Sequence, residues 1–351
     1  MLQLSTDNLH AFRAELDALR TAATARLGAA DGDHIRGTAR VSRLCELLGR
    51  VLIHASLEPL SWSTGVLLLA AHNVLDNMEL GHNVLHGQYD WMRDPKFASK
   101  TYRWDFAVDE AQWRDEHNGL HHRYTNIRGQ DPDLGYGGFR MTAEDAWSPL
   151  HVAQIAGVAA TFLAFDASIG LFVTGILTSA RAAAGPGWLR SAVRRLRPFV
   201  RKSVPLACKN YLLYPAAGGV LAPKILLGNL LAAVIRNVFA ASVIYCGHFT
   251  ARAHTFSAEE AAEHGTDSWY LRQVLGSSDF EGSQLLSLMS GHLNYQIEHH
   301  LFPHLPAWRY RELAPQVRAI CEKHDVPYNT GSFGAQFTGV VKRILRHSLP
   351  A

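Results

Sequence analysis

Residues 291–300 read GHLNYQIEHH, and this stretch places Gln296 three residues before a pair of adjacent histidines. Two further histidine-rich stretches lie far upstream: residues 117–122 read HNGLHH, and residues 82–86 read HNVLH. Neutral imidazole is the commonest protein ligand for metal ions. We therefore expect the three stretches to come together in one metal site.

The composition excludes several other kinds of site. The chain has 351 residues, 19 histidines and a net charge of +3, and so mild a charge does not indicate nucleic acid binding. Its four cysteines lack the paired spacing of a disulfide framework, a cysteine zinc site or an iron–sulfur cluster; they are Cys45, Cys208, Cys246 and Cys321. Residues 1–36 lack the apolar core of a signal peptide, so none is expected.

Apolar stretches alternate with the histidine-rich ones. Residues 44–60 and 62–80 are each near the length that crosses a bilayer, and a break at Pro59 lets them form a membrane hairpin. Residues 204–220 and 225–245 predict a second hairpin in the same way. Mean hydropathy is near zero, so spans must be few and flanked by polar regions. Polar side chains within the first hairpin must face the interior of the bundle; a soluble pair of core helices would tolerate them more easily.

Residues 149–178 form a further apolar stretch, and a basic cluster follows it. The cluster comprises Arg190, Arg194, Arg195, Arg197, Arg201 and Lys202. Basic residues beside membrane spans favour the cytoplasmic side and the headgroups of anionic lipids. If the second hairpin crosses the membrane, residues 149–178 are interfacial or re-entrant. The competing topology makes them a true span, but it violates the positive-inside bias.

The spacing within the second histidine stretch is typical of one helical face. His117 and His121 are four residues apart, and His122 lies roughly 100° further round an α-helix. Asp115 and Glu116 are candidates to orient these imidazoles by hydrogen bonding. The stretch therefore predicts a compact set of ligands with carboxylates behind it.

The other candidate ligands lie where apolar stretches end. His82 and His86 follow the first hairpin at helical spacing, and His248 follows the last apolar stretch at the membrane edge. With His117, His121, His122, His299 and His300, the candidates number eight. Eight imidazoles exceed the needs of one metal ion and suit two ions with open positions; by ligand type these are Fe, Cu, Ni or Zn. Dioxygen activation on a lipid chain is the favoured chemistry, and hydrolysis by a zinc pair competes with it.

HNVLH, HNGLHH and QIEHH, in this order and separated by apolar hairpins, resemble the three histidine boxes of the membrane fatty acid desaturase family. The resemblance covers residues 44–306. The surrounding words GHNVLHGQYDWM, HHRYTNIRGQDPDLGYG, VIYCGHF and NYQIEHHLFP are similar to those of bacterial acyl desaturases, and the glutamine of the third box resembles front-end desaturases. Three boxes at this spacing are highly specific for the family.

The resemblance implies an all-α integral membrane protein with about four spans in two hairpins, near residues 44–80 and 204–247, and a cytosolic helical cap that holds a di-iron centre. It assigns the eight histidines to the iron. Family members with histidine at the position of Gln296 use that imidazole as a ligand, so Gln296 is an uncertain member of the set. His292, one turn before it, is the other uncertain member. Glu298 is expected to support the ligands rather than to bind metal.

The resemblance also implies the reaction and its partners. The expected activity is an oxygen-dependent acyl desaturation: dioxygen is the co-substrate, two iron ions are the cofactor, and two external electrons yield a cis double bond. The acyl group is linked to coenzyme A, a carrier protein or a phospholipid. No haem motif of a fused cytochrome domain occurs, so we expect a separate ferredoxin or rubredoxin with an NAD(P)H reductase. The protein is expected in the bacterial inner membrane among its lipids, with the boxes facing the cytoplasm.

The predicted organisation has three parts. Residues 1–43 form a cytosolic N-terminal region with an amphipathic helix over residues 8–28, residues 44–306 form the desaturase domain, and residues 307–351 form a cytosolic helical tail. A lipid hydroxylase or ketolase of the same superfamily is the near alternative, since the same boxes host those reactions. A membrane zinc hydrolase or a receptor-like metal-binding bundle is the alternative of another class.

Overall fold

The computed structural model describes residues 4–176, 188–262 and 268–350. Within these ranges every regular element is helical, and the β-structure amounts to two isolated bridges, Ile127 with Phe256 and Glu281 with Ser332. The predicted all-α class is confirmed. The first helix, α1 (Thr6–Ala25), begins where the Ser5 hydroxyl accepts a hydrogen bond from the Asn8 amide.

The first hairpin consists of α2 (Ala29–Ala55) and α3 (Pro59–Val74). Glu58 caps α3, because its carboxylate accepts hydrogen bonds from the two amides that follow Pro59. The helices approach closely at Gly65, where an added Cβ would lie 2.9 Å from the backbone nitrogen of Ile53. Glycine therefore permits the contact that joins the two helices.

Two helices widen where the histidine boxes begin. The helix α3 continues as a π-helical segment, Leu75–His82, and a short α-helical turn, Asn83–Leu85. The helix α4 has the same construction, with α-helical Glu110–Trp113, π-helical Arg114–His121 and α-helical His122–Tyr124. π-helical turns are rare and occur frequently at functional sites. The α-helical angles expected for the second box are therefore wrong, since its histidines lie on a wider turn.

The stretch after α4 bends sharply. The helices α5 (Gln154–Leu163) and α6 (Phe165–Phe172) follow a 3-10 turn, Pro149–Ala153. The segments on either side of Ala164 differ in direction by 103°, the geometry of a broken span or a re-entrant loop. Residues 177 and 178 of the predicted apolar stretch lie outside the described residues.

The second hairpin begins with α7 (Trp188–Cys208), which carries the basic cluster. It continues through a π-helical turn, Lys209–Leu213, and a short helix, Tyr214–Ala217. The chain reverses at Gly219, whose φ of +56° suits glycine. The return helix is α8 (Ala222–His248).

The tips of the two hairpins are held together. The Lys224 ammonium donates to the carbonyl of Ser56, and a ring nitrogen of His54 lies 3.2 Å from the carbonyl of Tyr214. Beside these contacts Leu57 is 89% exposed and Val220 is 96% exposed. Large apolar side chains on a surface mark a membrane or protein contact, so the paired tips form an apolar end of the molecule.

Among the described helices, only the one over Gly219–His248 is long and apolar enough to cross a membrane. The helices α2 and α3 form the predicted first hairpin, but neither meets this test. The bent pair α5–α6 would add a second span if it crosses as one unit. The two hairpins are thus present, and the four predicted spans stay a prediction.

The cap is built from short helices that follow α8. They are α9 (Ala258–Ala262), α10 (Trp269–Leu275), α11 (Gln284–Met289), α12 (Gln296–Leu301), α13 (Tyr310–Lys323) and α14 (Phe333–Ser348). The buried face of α1, with Phe12 and Leu16, packs in one apolar cluster with Leu313 and Val317 of α13.

The ends of the chain join the central core. The predicted limit between residues 43 and 44 falls inside α2, and Val340 and Ile344 of the predicted tail lie in the same apolar cluster as Tyr245. The three-part division stays a prediction.

Candidate metal centre

The eight predicted histidines converge from four elements. The continuation of α3 and the helix α4 supply five of them, the C-terminal residue of α8 is His248, and α12 supplies His299 and His300. Neighbouring rings have centroids as close as 4.3 Å, between His122 and His300. Residues separated by more than 200 positions therefore share one buried cluster.

The cluster resolves into two groups of nitrogen atoms. His82, His86, His117 and His299 form the first group, and His121, His248 and His300 form the second; within each group one ligand atom per residue lies within 4.8 Å of the others. His122 meets the same distance limit with His299 and His300, so it joins the two groups. The arrangement fits two adjacent metal ions.

The hydrogen bonding of the rings shows what they lack. Ring nitrogens of six of these residues are buried without a hydrogen-bond partner: His86, His117, His121, His122, His248 and His299. An unpaired buried polar atom costs about 1–3 kcal/mol. In addition, Nε2 of His248 and Nε2 of His300 face each other at 3.0 Å. Such a set of nitrogens is suited to cations, and the residues fit a pair of iron ions.

Burial keeps most of the cluster neutral. Burial, with the neighbouring His117, lowers the pKa of His82 to about 3. Burial also holds the pKa values of His86, His122 and His299 well below the usual range. Metal ions bind the neutral form of imidazole, so these rings are in the protonation state that a metal ion requires.

His121 is the exception. Burial alone would lower its pKa, but the carboxylates of Asp131 and Asp133 outweigh burial and raise the pKa to about 9. Nδ1 of His121 lies 3.0 Å from Oδ1 of Asp131, and Nδ1 of His117 lies 3.5 Å from Oδ2 of Asp133. These carboxylates direct Nε2 of His121 toward the second group, as carboxylate partners do for ligands in metalloproteins.

The supporting carboxylates are not the ones expected from sequence. Asp115 is exposed, and Glu116 lines the cavity described below, where burial and Asp133 raise its pKa to about 8. Asp131 and Asp133 come from the QDPDLG turn after α4. Two aspartates, two positions apart in a turn that follows a histidine box, are the signal that could have identified them.

A second support lies behind His300. Its Nδ1 is 2.9 Å from Oε1 of Gln273 and 3.2 Å from the hydroxyl of Thr125. The Thr125 hydroxyl also donates to Oε1 of Gln273. Sequence reasoning missed both residues, because neither Gln273 nor Thr125 lies next to His300 in the sequence.

Gln296 lies at the second group. Its Nε2 is 2.9 Å from Nε2 of His248, and its Oε1 is buried without a partner. The side chain packs on Gly247, where an added Cβ would lie 2.8 Å from Cδ of the glutamine. The amide oxygen and nitrogen exchange places when the side-chain amide rotates by about 180°. An oxygen donor is therefore available at this position.

His292 lies outside both histidine groups. Its backbone φ is +57°, and its Nδ1 contacts Oε2 of Glu79 at 2.9 Å. The other oxygen of Glu79 lies 2.7 Å from Nε2 of His34, and Oε2 also accepts from Asn83. Sequence reasoning did not find this buried carboxylate network, which ends at Asn83 beside Nδ1 of His82.

Glu298 faces away from the rings. Its Oε1 accepts a hydrogen bond from the Tyr328 hydroxyl at 3.0 Å. Burial and the neighbouring Asp279 raise its pKa well above the usual range. Glu298 thus takes a place in a buried polar network with Tyr328, and its predicted support of the ligands stays a prediction.

An apolar cavity ends at the histidines. Its lining includes His82, His117, His121 and His248. Apolar and aromatic residues from separate parts of the chain line most of the rest: Met78, Trp104, Phe106, Trp113, Tyr136, Phe165, Ile169, Phe172, Val173, Ile244 and Leu293. The bent segment supplies Phe165 to Val173, so the sharp turn at Ala164 builds one wall of the cavity. Pockets of this character bind apolar ligands.

The chain is similar to several known proteins. The fatty acid desaturase family model matches residues 59–332. An NADPH-dependent stearoyl-CoA 9-desaturase of Mycobacterium tuberculosis is 38% identical over 351 residues, covering 99% of this chain and 82% of that protein. An sn-1 linoleoyl-lipid 6-desaturase of Arthrospira platensis is 26% identical over 256 residues, covering 71% of this chain and 67% of that protein.

A shorter match agrees with these two. An acyl-lipid (7-3)-desaturase of Rebecca salina is 28% identical over 227 residues, covering 62% of this chain and 48% of that protein. The family model spans most of the chain, and the mycobacterial relative aligns with nearly all of it. This chain therefore belongs to the fatty acid desaturase family.

Proposed function

We propose that this oxidoreductase, an acyl desaturase, introduces a cis double bond into the chain of an acyl-CoA with two histidine-bound iron ions. The overall change is R–CH2–CH2–R′ + O2 + 2e− + 2H+ → R–CH=CH–R′ + 2H2O. The observation that carries the proposal is the pair of buried histidine groups at the end of an apolar cavity. Iron, when bound, would supply the reduction of dioxygen that drives the removal of hydrogen.

The residues of the chain supply binding and orientation. His82, His86, His117 and His299 would hold one ion, and His121, His248 and His300 would hold the other, with His122 beside both. The aromatic wall formed by Trp104 and Phe165 excludes water and binds the acyl chain through apolar contact. Because the same cavity is lined by ligands of both ions, a bound methylene pair lies beside the metal centre.

The acyl carrier is proposed from the relative and from a cationic surface. The relative of Mycobacterium tuberculosis is named a stearoyl-CoA desaturase. On this chain, an arginine pocket contains Arg103, Arg194, Arg197, Arg201 and Lys202, together with Asp109, Glu110 and Pro198. Lys202 donates to the backbone carbonyl of Trp104, whose side chain lines the acyl cavity. Cationic groups beside the cavity suit the phosphates of coenzyme A.

Membrane attachment is proposed to involve both hairpins and α7. On α7 the exposed apolar residues Leu189, Val193, Val200 and Val204 recur at helical spacing beside the arginines. A helix with an apolar stripe and a basic stripe lies at the lipid headgroups. We place the paired tips in the bilayer, with four spans in all, and the histidines on the cytoplasmic side of a bacterial inner membrane.

The proposed reaction consumes two electrons per turnover. The relative's name includes NADPH dependence. We propose an NAD(P)H reductase acting through a ferredoxin or a rubredoxin as the donor.

The test is expression in a bacterial host, with wild type and His121→Ala compared. Wild type is expected to bind about two irons per chain and to form an unsaturated lipid only in the presence of oxygen, as read by gas chromatography. His121→Ala is expected to insert in the membrane and to lose activity. Zinc in place of iron after iron-replete growth would favour the hydrolase alternative, and a hydroxylated product would favour the hydroxylase. Either result would contradict the proposal.

A further inference from the structure

We propose that electrons enter through a second opening, which reaches different histidines from the acyl cavity, and that a small acidic iron–sulfur protein docks there. This inference rests on the proposed desaturase function, since that reaction consumes two electrons. The electron-entry opening has His86 and His122 in its lining. Its other lining residues are Arg20, Thr24, Leu27, Asn118, Arg123, Trp269, Leu301, Phe302, Pro303, His304 and Leu305.

The electron-entry opening is separate from the acyl cavity. No residue lines both: the cavity reaches His82, His117, His121 and His248, whereas the opening reaches His86 and His122. Both sets belong to the same metal centre. A donor can therefore approach the metal ions while the acyl chain occupies its own cavity.

A hydrogen bond connects the surface of this opening to a ligand. The exposed side chain of His304 has its Nδ1 2.8 Å from the backbone carbonyl of His86. The path from the surface to a metal-binding ring thus consists of one hydrogen bond and the covalent bonds of one residue. Electron transfer is faster through bonded atoms than through empty space, so this contact favours His304 as the entry point.

The charged residues around the electron-entry opening indicate the kind of protein that docks there. The opening shares Arg20, Arg123 and Trp269 with a neighbouring groove, which adds Arg13 and Arg272. The described lining of the two contains one carboxylate, Asp17, which lies 2.7 Å from Arg20. Four arginines against one aspartate form a positive rim, and complementary charge steers association with an acidic protein.

The residue types of the rim also favour protein contact. Trp269 and Tyr270 lie edge to face at 5.0 Å, and the Arg123 guanidinium lies over the ring of Tyr124 at 5.2 Å. Arginine, tryptophan and tyrosine are the residues most enriched in binding hot spots. Redox partners form small, transient contacts, and a one-electron carrier must dock twice for each double bond.

The experiment compares purified wild type with the double variant Arg20→Glu/Arg123→Glu. The donor is an acidic [2Fe–2S] ferredoxin with its NADPH-dependent reductase. The control is Arg346→Glu, which changes an exposed arginine in the last turn of α14. A second assay uses enzyme reduced by dithionite, followed by one turnover with oxygen, and needs no docking partner.

The double variant is expected to need about tenfold more ferredoxin for half-maximal rate, with a weaker dependence on salt. Its iron content and its dithionite-driven turnover should match wild type, and Arg346→Glu should resemble wild type in both assays. An unchanged ferredoxin requirement would overturn the docking site. Full activity with a flavoprotein reductase alone, and none with ferredoxin, would overturn the choice of partner. Failure of dithionite-reduced wild type to desaturate would instead overturn the proposed function.

His304 is tested by a different parameter. His304→Leu removes the hydrogen bond to the His86 carbonyl without changing the arginine rim. It is expected to lower the rate at saturating ferredoxin several-fold and to leave the half-saturating concentration unchanged. Normal iron content with an unchanged saturating rate would exclude His304 as the entry point.

Discussion

Asp131 holds His121 by a hydrogen bond of 3.0 Å from Nδ1 of the ring to Oδ1 of the carboxylate. The second oxygen of Asp131 accepts from the backbone amide of Asn126 at 2.7 Å, so the carboxylate itself is fixed. The contact places a proton on Nδ1 and leaves Nε2, which is buried and unpaired, for a metal ion. A turn after α4 thereby controls the tautomer of a ligand in the second group.

Asp131→Asn is expected to weaken iron binding at the second group by about 10- to 100-fold, the range for loss of a ligand's hydrogen-bond partner. The amide can accept a hydrogen bond but carries no charge to stabilise the ring. Competition with a ferrous chelator measures the effect. Asp133→Asn is the matched control, because its contact with His117 is longer, at 3.5 Å. Equal effects of the two substitutions would argue against a specific role for Asp131.

His292 and His299 are expected to behave differently. His299→Ala removes a member of the first group and should lower iron binding. His292→Gln should retain about two irons per chain, because His292 contacts Glu79 rather than the metal-binding nitrogens. It should nevertheless lower the thermal unfolding midpoint, since a neutral amide replaces the imidazole beside the buried carboxylate, and a hydrogen bond weakened there costs about 1–3 kcal/mol. Iron analysis and thermal unfolding in detergent separate the two outcomes, and loss of iron from His292→Gln would make it a ligand.

The iron-free protein is expected to lose stability in acid. The pKa of His82 falls to about 3 on folding, and those of His86 and His122 fall well below the usual range, because their rings are buried. Between about pH 6.5 and 3 the unfolded chain therefore binds more protons than the folded one. The stability of the fold decreases as the pH is lowered through this range. His121 acts in the opposite sense. Its contribution to the stability of the fold is complete below about pH 6.5 and is lost as the pH rises through about 9.

Thermal unfolding of the iron-free protein between pH 7 and 5 measures this dependence. A double variant, His86→Gln/His122→Gln, should reduce the slope, since it removes two rings that resist protonation. The same scan with iron bound should be steeper, because protons then compete with the metal. A midpoint that is flat over this range would contradict the neutral state inferred for the cluster.

Sequence predicted the convergence of the eight histidines for a physical reason, and their role as metal ligands stays a prediction. Short clusters of histidine are unusual, so they can be recognised directly in a sequence. The structure brings all eight histidines together. The carboxylates behind them were missed because Asp131 and Asp133 lie in a turn after α4 that folds back onto His121 and His117. Proximity in the sequence made Asp115 and Glu116 the candidates, but a wide π-helical segment and the returning turn decide which acid meets the ring.

The membrane topology was harder to predict. Helices α2 and α3 carry polar residues that form internal contacts, such as the Ser42 hydroxyl with Nδ1 of His72 at 2.9 Å. Side chains paired in this way lower the hydropathy of a helix without facing lipid. Residues 149–178 were predicted to be interfacial or re-entrant, and the bend of 103° within them also fits a broken span. That this bend forms a wall of the acyl cavity could not be read from hydropathy.

The arginine pocket should control the affinity for the acyl carrier. Arg197→Gln/Arg201→Gln removes two cations of the arginine pocket and is expected to raise KM for stearoyl-CoA by about tenfold, since each lost charge-assisted contact to phosphate is worth about 1.5–3 kcal/mol before solvent screening. The value of kcat should change little. Stearoyl pantetheine, which lacks the nucleotide phosphates, is the matched substrate. An equal rise in KM for both substrates would show that the arginines do not bind the nucleotide phosphates.

Gln296 offers the final test of the ligand set. In wild type its amide lies against His248 and one polar atom is buried without a partner. Gln296→Leu leaves the eight histidines in place but removes the amide, so it should bind one of its two irons more weakly. Gln296→His supplies an imidazole, a stronger donor to iron than an amide oxygen, and should release that iron more slowly than wild type. Chelator-release kinetics rank the three proteins, and identical release from all of them would place Gln296 outside the coordination of the metal.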